Sequence, residues 1–295
     1  MKNLPRSIRK RLPGPRWLVI AVPYLWMLLF FAIPFAIALK ISFASAAIAM
    51  PPYTDLVQWA GDKMQLTINT ANYLFLVRDS LYVNAYLSSL KIAVISTFLC
   101  LLVGYPIAYA IARMSPANRN IALMLVILPS WTSFLIRIYA WVGILKNNGL
   151  LNNALIGMGL IDEPLAILHT PVAVYIGIVY AYLPFMVLPL YASLEKLDPA
   201  LEEAAQTLRA SRWRVFRTVT LPLLRPAILG AGALVFLFTF TSFGVVLVLG
   251  DPSLPTIEVE IYSATAQRLD LTAAAGLALL QFVFVALAVA WVSHQ

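Results

Sequence analysis

Six long apolar runs constrain this chain more than any other feature. Their limits are Leu18–Leu39, Ala85–Ala112, Ile121–Leu145, Pro171–Leu194, Pro226–Leu249 and Leu271–Val292. Each approaches or exceeds the ~20 residues that a helix needs to cross ~30 Å of hydrocarbon. Backbone polar groups in lipid must be paired within the segment, so runs of this length are read as helices. The expected fold class is an all-α integral membrane protein with six transmembrane helices. Composition argues against a soluble fold. Charged residues make up 12% of the 295 positions and hydrophobic residues 61%, whereas soluble domains carry about 25% charged residues.

Orientation follows from where the bases fall. Residues 1–17 hold six bases and read as a basic cytoplasmic amino terminus. The apolar stretch that follows exceeds a signal peptide's ~7–15-residue core, so it is expected to be an uncleaved first span. Residues 113–120, the loop 195–225 and the tail 293–295 then also lie in the cytoplasm. These stretches hold fourteen of the 21 bases, a bias strong enough to set topology, with both termini inside. The net charge of +8 thus reflects membrane orientation; the expected contact is lipid, with no nucleic acid.

The acids Asp55, Asp62, Asp79, Asp162, Glu163, Asp251, Glu258, Glu260 and Asp270 fall at or beyond the outer edges. They read either as solvated loop residues or as a surface that attracts cations or docks a partner. Cys100, His169 and His294 read as packing or loop residues, and no metal site is expected. The outer loop 41–84 is long, with turn signals at Pro51-Pro52-Tyr53 and Gly61-Asp62.

The cytoplasmic loop reads LDPALEEAAQTLRASRWRVFRTVTLPLLRPA from Leu197. Asp198 suits a helix N-cap and Pro199 the first helical position. Ser211 suits the cap of a second helix, and Pro222 and Pro226 are expected to end or kink it. This helix–turn–helix resembles the EAA loop of ABC importer permeases, in which Glu-Ala-Ala is followed at fixed spacing by Gly, Ile and Leu-Pro. Glu203, Ala204, Ala205, Leu221 and Pro222 match; Val219 replaces Ile and Arg209 replaces Gly. Glycine serves at such a turn because it adopts a left-handed backbone freely. The resemblance implies a type I ABC importer permease with an ATPase-coupling role for Glu203, Ala204, Ala205, Arg209, Leu221 and Pro222. The chain lacks the Gly-x4-Gly-Lys-Ser/Thr phosphate loop. It is therefore not expected to be an enzyme, and ATP and Mg are expected on a separate ATPase subunit.

Residues from about 20 to 198 further resemble permeases of putrescine/spermidine importers, through PPYTDLVQWA (51–60), LPSWTSFLIRIYAWVGILKNNGLLNN (128–153) and ILHTPVAVYIGIVYAYLPFMVLPLY (167–191). The carboxyl third, LVFLFTFTSFGVVLVLGDPSLPTIEVEIYSAT (234–265), is more similar to thiamine and iron(III) importer permeases. The resemblance implies a second permease subunit, a periplasmic solute-binding protein and a small cationic cargo, putrescine foremost. Aromatic faces suit a cation, which singles out Trp131, Tyr139, Tyr180 and Tyr182 as pathway candidates. Thiamine or iron(III) is the alternative cargo and a secondary transporter the more distant alternative. The latter would need acids within the spans or broken, repeated helices.

Overall fold

A computed structural model describes residues 15–60, 63–251 and 253–293. Lys2, Arg6, Arg9, Lys10, Arg11, Gly61, Asp62 and His294 lie outside them. Two compact units are present, Met1–Leu76 with Ala264–Leu280, and Val77–Ser263 with Gln281–Gln295.

In the first unit, α1 (Pro15–Met27) continues through a π turn (Leu28–Ala32) into α2 (Ile33–Ser42). The π turn ends in a bond from Ile33 N–H to Leu28 O, one residue before Pro34. Proline lacks an N–H and crowds the carbonyl four residues back, so the wider turn relieves the helix there. The side chains of this span are almost all exposed, an apolar surface for lipid or another protein. The outer loop is ordered. Asn72 Nδ2 donates to Ser42 O (3.0 Å) and Ala44 O (2.7 Å), and Tyr73 Oη donates to Ser42 Oγ (2.7 Å). The loop also carries an antiparallel hairpin, β1 (Val57–Ala60) paired with β2 (Lys63–Leu66). An all-α expectation omits this hairpin because its strands are four residues long.

The second unit is built on α4 (Ser80–Ala112), α8 (Pro171–Glu195) and α11 (Leu221–Phe240), which pack pairwise. The short α3 (Ala71–Arg78) precedes α4, and α14 (Leu271–Ser293) lies partly in each unit. Along α8 there are two apolar clusters. Near its amino end, Ala173, Val174 and Ile178 pack with Ile138, Leu145, Val245 and Leu249. Near its carboxyl end, Met186, Leu190 and Leu194 pack with Cys100, Ile111, Leu224 and Val235.

The third expected span, 121–145, is not one straight helix. It is α5 (Pro116–Ile127), a 3-10 turn (Leu128–Trp131) and α6 (Phe134–Leu145), which runs on toward α7 (Leu150–Gly157), with a 92° bend between the two halves. Pro129 explains the break: it supplies no N–H, and side chains take over the freed carbonyls. Ser130 Oγ donates to Ile127 O (2.6 Å) and Thr132 Oγ1 to Pro129 O (2.8 Å). The pair reaches from one end of α8 to the other. Ala122, Leu123 and Val126 pack at the carboxyl end of α8, while Ile138 and Leu145 pack at its amino end. Five unbroken helices are long and apolar enough to span, Val19–Ser42, Ser80–Ala112, Pro171–Glu195, Arg212–Phe240 and Leu271–Val292, and the bent pair, taken as one span, makes six among the described residues.

The fifth span also differs from expectation at both ends. Helix begins at Arg212 and runs through Pro222 without ending, by way of a π turn (Phe216–Thr220) that closes from Leu221 N–H to Phe216 O. The device before Pro34 is repeated here before Pro222. At the other end the helix stops at Phe240, and α12 (Gly244–Leu249) follows after a three-residue break.

Candidate coupling and translocation sites

The loop after α8 folds as a helical hairpin. Asp198 Oδ1 accepts from Ala200 N (2.9 Å) and starts α9 (Pro199–Thr207); Ser211 Oγ accepts from Arg214 N (3.3 Å) and starts α10 (Arg212–Val215). Between them α9 ends in a Schellman motif. Arg209 N donates to Gln206 O (2.9 Å) and Ala210 N to Ala205 O (3.2 Å), with Arg209 at φ +61°. The glycine position of the EAA pattern therefore keeps its left-handed turn with arginine in it. That backbone costs a side-chain-bearing residue about 1–2 kcal/mol, while glycine loosens the unfolded chain by about 0.4–1 kcal/mol. Arg209→Gly is thus expected to raise stability by roughly 0.5–1 kcal/mol, seen as a higher melting temperature of the purified protein. A lowered melting temperature would mean that the guanidinium makes a stabilising contact.

The two faces of α9 differ. Glu203 and Ala204 are exposed and Ala205 is half-buried; Leu201 and Leu208 flank them, Leu208 at 84% exposure. Positions 201, 204, 205 and 208 follow helical spacing, so one apolar stripe with small residues at its centre faces outward. The other face belongs to Glu202. Its Oε2 lies 2.6 Å from Arg113 Nη2 at the end of α4, and its Oε1 accepts from Thr220 Oγ1 (2.9 Å) just before α11. Glu202 and Gln206 also line a 550 Å³ cavity with Tyr105, Tyr109, Arg212 and Phe216. A second pair, Arg119 with Glu195, joins the first turn of α5 to the end of α8. Both pairs place residues 113–120 beside the loop 195–225, as one cytoplasmic face requires. Leu221 and Pro222 sit where the π turn passes into α11.

Glu202, not the neighbouring Glu203, is thus the acid bonded within the chain. The sequence does not single it out, because both acids occupy equivalent helical positions by propensity. The signal available was Arg113, the first base after a span.

A second polar region lies where two spans break. Phe134, at the start of α6, packs against Gly244, where an added Cβ would come within 3.2 Å of its ring. Arg137 stacks over the Phe134 ring at 5.7 Å, with its Nε buried. Tyr182 Oη donates to Ser242 Oγ (3.2 Å), in the break of the fifth span, and its ring lies near Phe185 and Phe238. Phe243, also in that break, packs against Tyr262 at 5.2 Å. Broken helices at mid-membrane expose backbone and polar groups to a pathway. Of the four pathway candidates, Tyr182 lies at this break. Tyr180 packs edge-on against Trp141 at 5.4 Å. Trp131 and Tyr139, 72% and 61% exposed, lie on the outer surface of the unit.

Glu258 is not a solvated loop acid. It sits on α13 (Ile257–Tyr262), half-buried, and its Oε1 accepts from Gln281 Nε2 (2.7 Å) of α14. Gln281, 6% exposed, is ten residues into an apolar helix. Hydropathy missed this because it averages over windows longer than the six residues of α13, though the isolated glutamine was visible.

Residues 101–294 match the family described as binding-protein-dependent transport system inner membrane component. The chain is 39% identical over 233 residues to the spermidine/putrescine transport system permease protein PotB of Haemophilus influenzae, covering 79% of this chain and 77% of that one. It is 46% identical over 175 residues to PotB of Escherichia coli, covering 59% of this chain and 62% of the relative. Among solved structures, a bacterial ABC transporter involved in the import of alginate aligns at TM-score 0.73 and 21% identity, covering 94% of each chain. A methionine ABC transporter in inward-facing conformations aligns at TM-score 0.55 and 15% identity, covering 77% of this chain and 97% of that one. These alignments give the type I ABC importer permease fold. The chain belongs to the family of binding-protein-dependent transport system inner membrane components, as a multi-pass permease of the bacterial inner membrane.

Proposed function

We propose that this chain is a transmembrane permease subunit of an ATP-driven polyamine importer, with putrescine as the leading cargo. The observation that carries the reading is the surface of α9, where Glu203 and Ala204 are exposed, Ala205 is half-buried, and Leu201 and Leu208 flank the two alanines. Small residues there let another protein's surface approach the backbone closely, which suits docking in a cleft of an ATPase subunit. The 39% identity to a spermidine/putrescine permease supports the cargo class.

In this reading a second permease completes the pathway and a periplasmic binding protein delivers the cargo. ATP with Mg is bound by the ATPase subunits. Their closure draws the coupling helices together and turns the bundle outward. ATP hydrolysis resets it and cargo passes to the cytoplasm. Each α9 hairpin is the lever through which this motion enters the membrane.

Uptake of labelled putrescine, spermidine, thiamine and ferric ion by membranes containing the cognate partners tests the cargo. Saturable ATP-driven putrescine uptake is expected; uptake of thiamine or iron alone would assign the alternative cargo. Glu203→Lys tests the docking face. It reverses a charge at a partner contact, an effect of about 2 kcal/mol or more, so uptake should fall more than tenfold and the ATPase should no longer copurify. Unchanged uptake would end the coupling assignment.

A further inference from the structure

We propose that Glu258 receives the cationic group of the cargo within the membrane, with Tyr262 and Phe243 as the aromatic wall beside it. This rests on the polyamine reading and adds the intramembrane acid that the six spans lack. An ionisable group held against a membrane-interior glutamine is costly to keep without a role. One oxygen of Glu258 accepts from Gln281 Nε2. That bond orients the carboxylate without neutralising it, because glutamine carries no charge.

Three observations tie α13, which carries this carboxylate, to the break of the fifth span. Glu258 and Tyr262 are four residues apart on α13 and so share a face. Tyr262 packs on Phe243, and Ser242, next in the chain, binds Tyr182. From Tyr182 the rings continue through Phe238 and Phe185, which meet edge-on at 5.0 Å. The aromatic lane and the carboxylate together suit an alkylammonium ion: the methylenes lie along the rings while the charged end meets Glu258. Ser89 Oγ accepts from Ile257 N (2.9 Å), so α13 is fixed to α4 at the residue before the carboxylate.

The interior also holds unused hydrogen-bonding capacity on the same elements. Thr256 Oγ1 and Thr239 Oγ1 are buried without a partner among the described residues. Thr256 is two residues before Glu258, and Thr239 is one helical turn before Ser242. Buried hydroxyls are ordinarily paired, and an incoming ammonium would supply three donors. Arg137 stacks on Phe134, which packs against Gly244 at the end of the break, and its charge is opposite in sign to that of Glu258. An extended cation in this region is therefore drawn toward α13, not toward the third span.

The test uses the assembled transporter in proteoliposomes, with putrescine and spermidine as probes and loaded binding protein outside. Glu258→Gln keeps the shape and the Gln281 contact but removes the charge. Uptake at subsaturating cargo should fall by more than about tenfold, as loss of one partner of a desolvated charge pair implies. ATPase stimulation by the loaded binding protein should remain within about twofold of the parent, since the cytoplasmic machinery is untouched. Uptake at the parent rate would overturn the Glu258 assignment and leave the polyamine reading standing. A parent transporter that carries only a neutral or anionic solute would overturn both. If Glu258→Gln does not assemble with the ATPase, Tyr262→Leu decides. It should raise the KM severalfold while leaving ATPase stimulation in place, and an unchanged KM would overturn the proposal.

Discussion

Glu202→Ala is expected to yield an importer that hydrolyses ATP but moves about tenfold less cargo per ATP, because the lever is loosened and not removed. The carboxylate bonds two elements at once, Arg113 at the end of α4 and Thr220 before α11. Its side chain is 17% exposed and that of Arg113 33%, so the pair is partly shielded from water and worth more than a surface pair, which gives only about 0–1 kcal/mol. Truncation leaves Arg113 with the Tyr109 ring, 5.3 Å away. It also strands the Thr220 hydroxyl, which is 3% exposed. An unsatisfied buried donor costs about 1–3 kcal/mol, and ~1.4 kcal/mol corresponds to tenfold in rate. The outward stripe of α9 keeps its residues, so the ATPase still docks. A double-mutant cycle with Arg113→Ala should show that the second truncation adds little once the first is made. An unchanged ratio of transport to hydrolysis in Glu202→Ala would show that force enters the bundle by another route.

The elements most legible in the sequence were those governed by local rules. Apolar length marked the membrane-crossing helices, and the caps at Asp198 and Ser211 followed from residue type and position. The EAA spacing located the α9–α10 hairpin, and its glycine position pointed to the left-handed turn that Arg209 adopts. Less legible was whatever depends on partners distant in the chain. Glu202 and Glu203 are indistinguishable by propensity, yet contacts with Thr220 and with Arg113, 89 residues away, set Glu202 apart. Glu258 looked like a loop acid because hydropathy averages over windows longer than α13, and its contact with Gln281 spans 23 residues.

Proline misled in both directions, for one reason. Pro129 does interrupt a span, because a 3-10 turn with Ser130 and Thr132 can absorb the freed carbonyls. Pro222 does not, because a π turn one residue before it removes the clash while the helix continues. Pro226, also expected to end or kink the helix, lies inside α11, as Pro106 lies inside α4 and Pro184 and Pro189 inside α8, so proline alone does not say where a helix is interrupted. The break at Ser242 and Phe243 had a weaker signal still, a threonine, serine and glycine run within an apolar stretch. Tyr182 was legible as a mid-span aromatic, but its Ser242 partner was not.

Gly177→Leu is expected to cost more folded permease than any substitution in the α9–α10 hairpin. Gly177 lies in α8 where α12 crosses it. A Cβ added there would be 2.5 Å from Leu249 Cδ1 and 2.9 Å from Val245 Cγ1. Both neighbours are fully buried, in a cluster with Val174, Ile178, Ile138 and Leu145, so neither has open space to move into. Small residues at helix crossings in membranes permit this backbone approach. Overpacking costs about 1–3 kcal/mol, and leucine brings three carbons beyond the clashing one, so the upper end of that range is expected. Gly177→Ala should already destabilise, although alanine ordinarily favours a helix by ~1 kcal/mol over glycine. Gly143 provides the control. It is exposed, lies in α6, and has nothing within 4 Å of its added Cβ. Gly143→Ala should therefore raise stability while Gly177→Ala lowers it, an opposition of sign that propensity alone cannot produce. Thermal unfolding of the detergent-solubilised protein reads both. Equal effects at the two positions would show that α8 and α12 do not pack this tightly. Because α12 leads directly from Phe243, displacing it also disturbs the Tyr182–Ser242 contact. Any Gly177→Leu protein that survives purification should for that reason transport poorly even at temperatures where it stays folded.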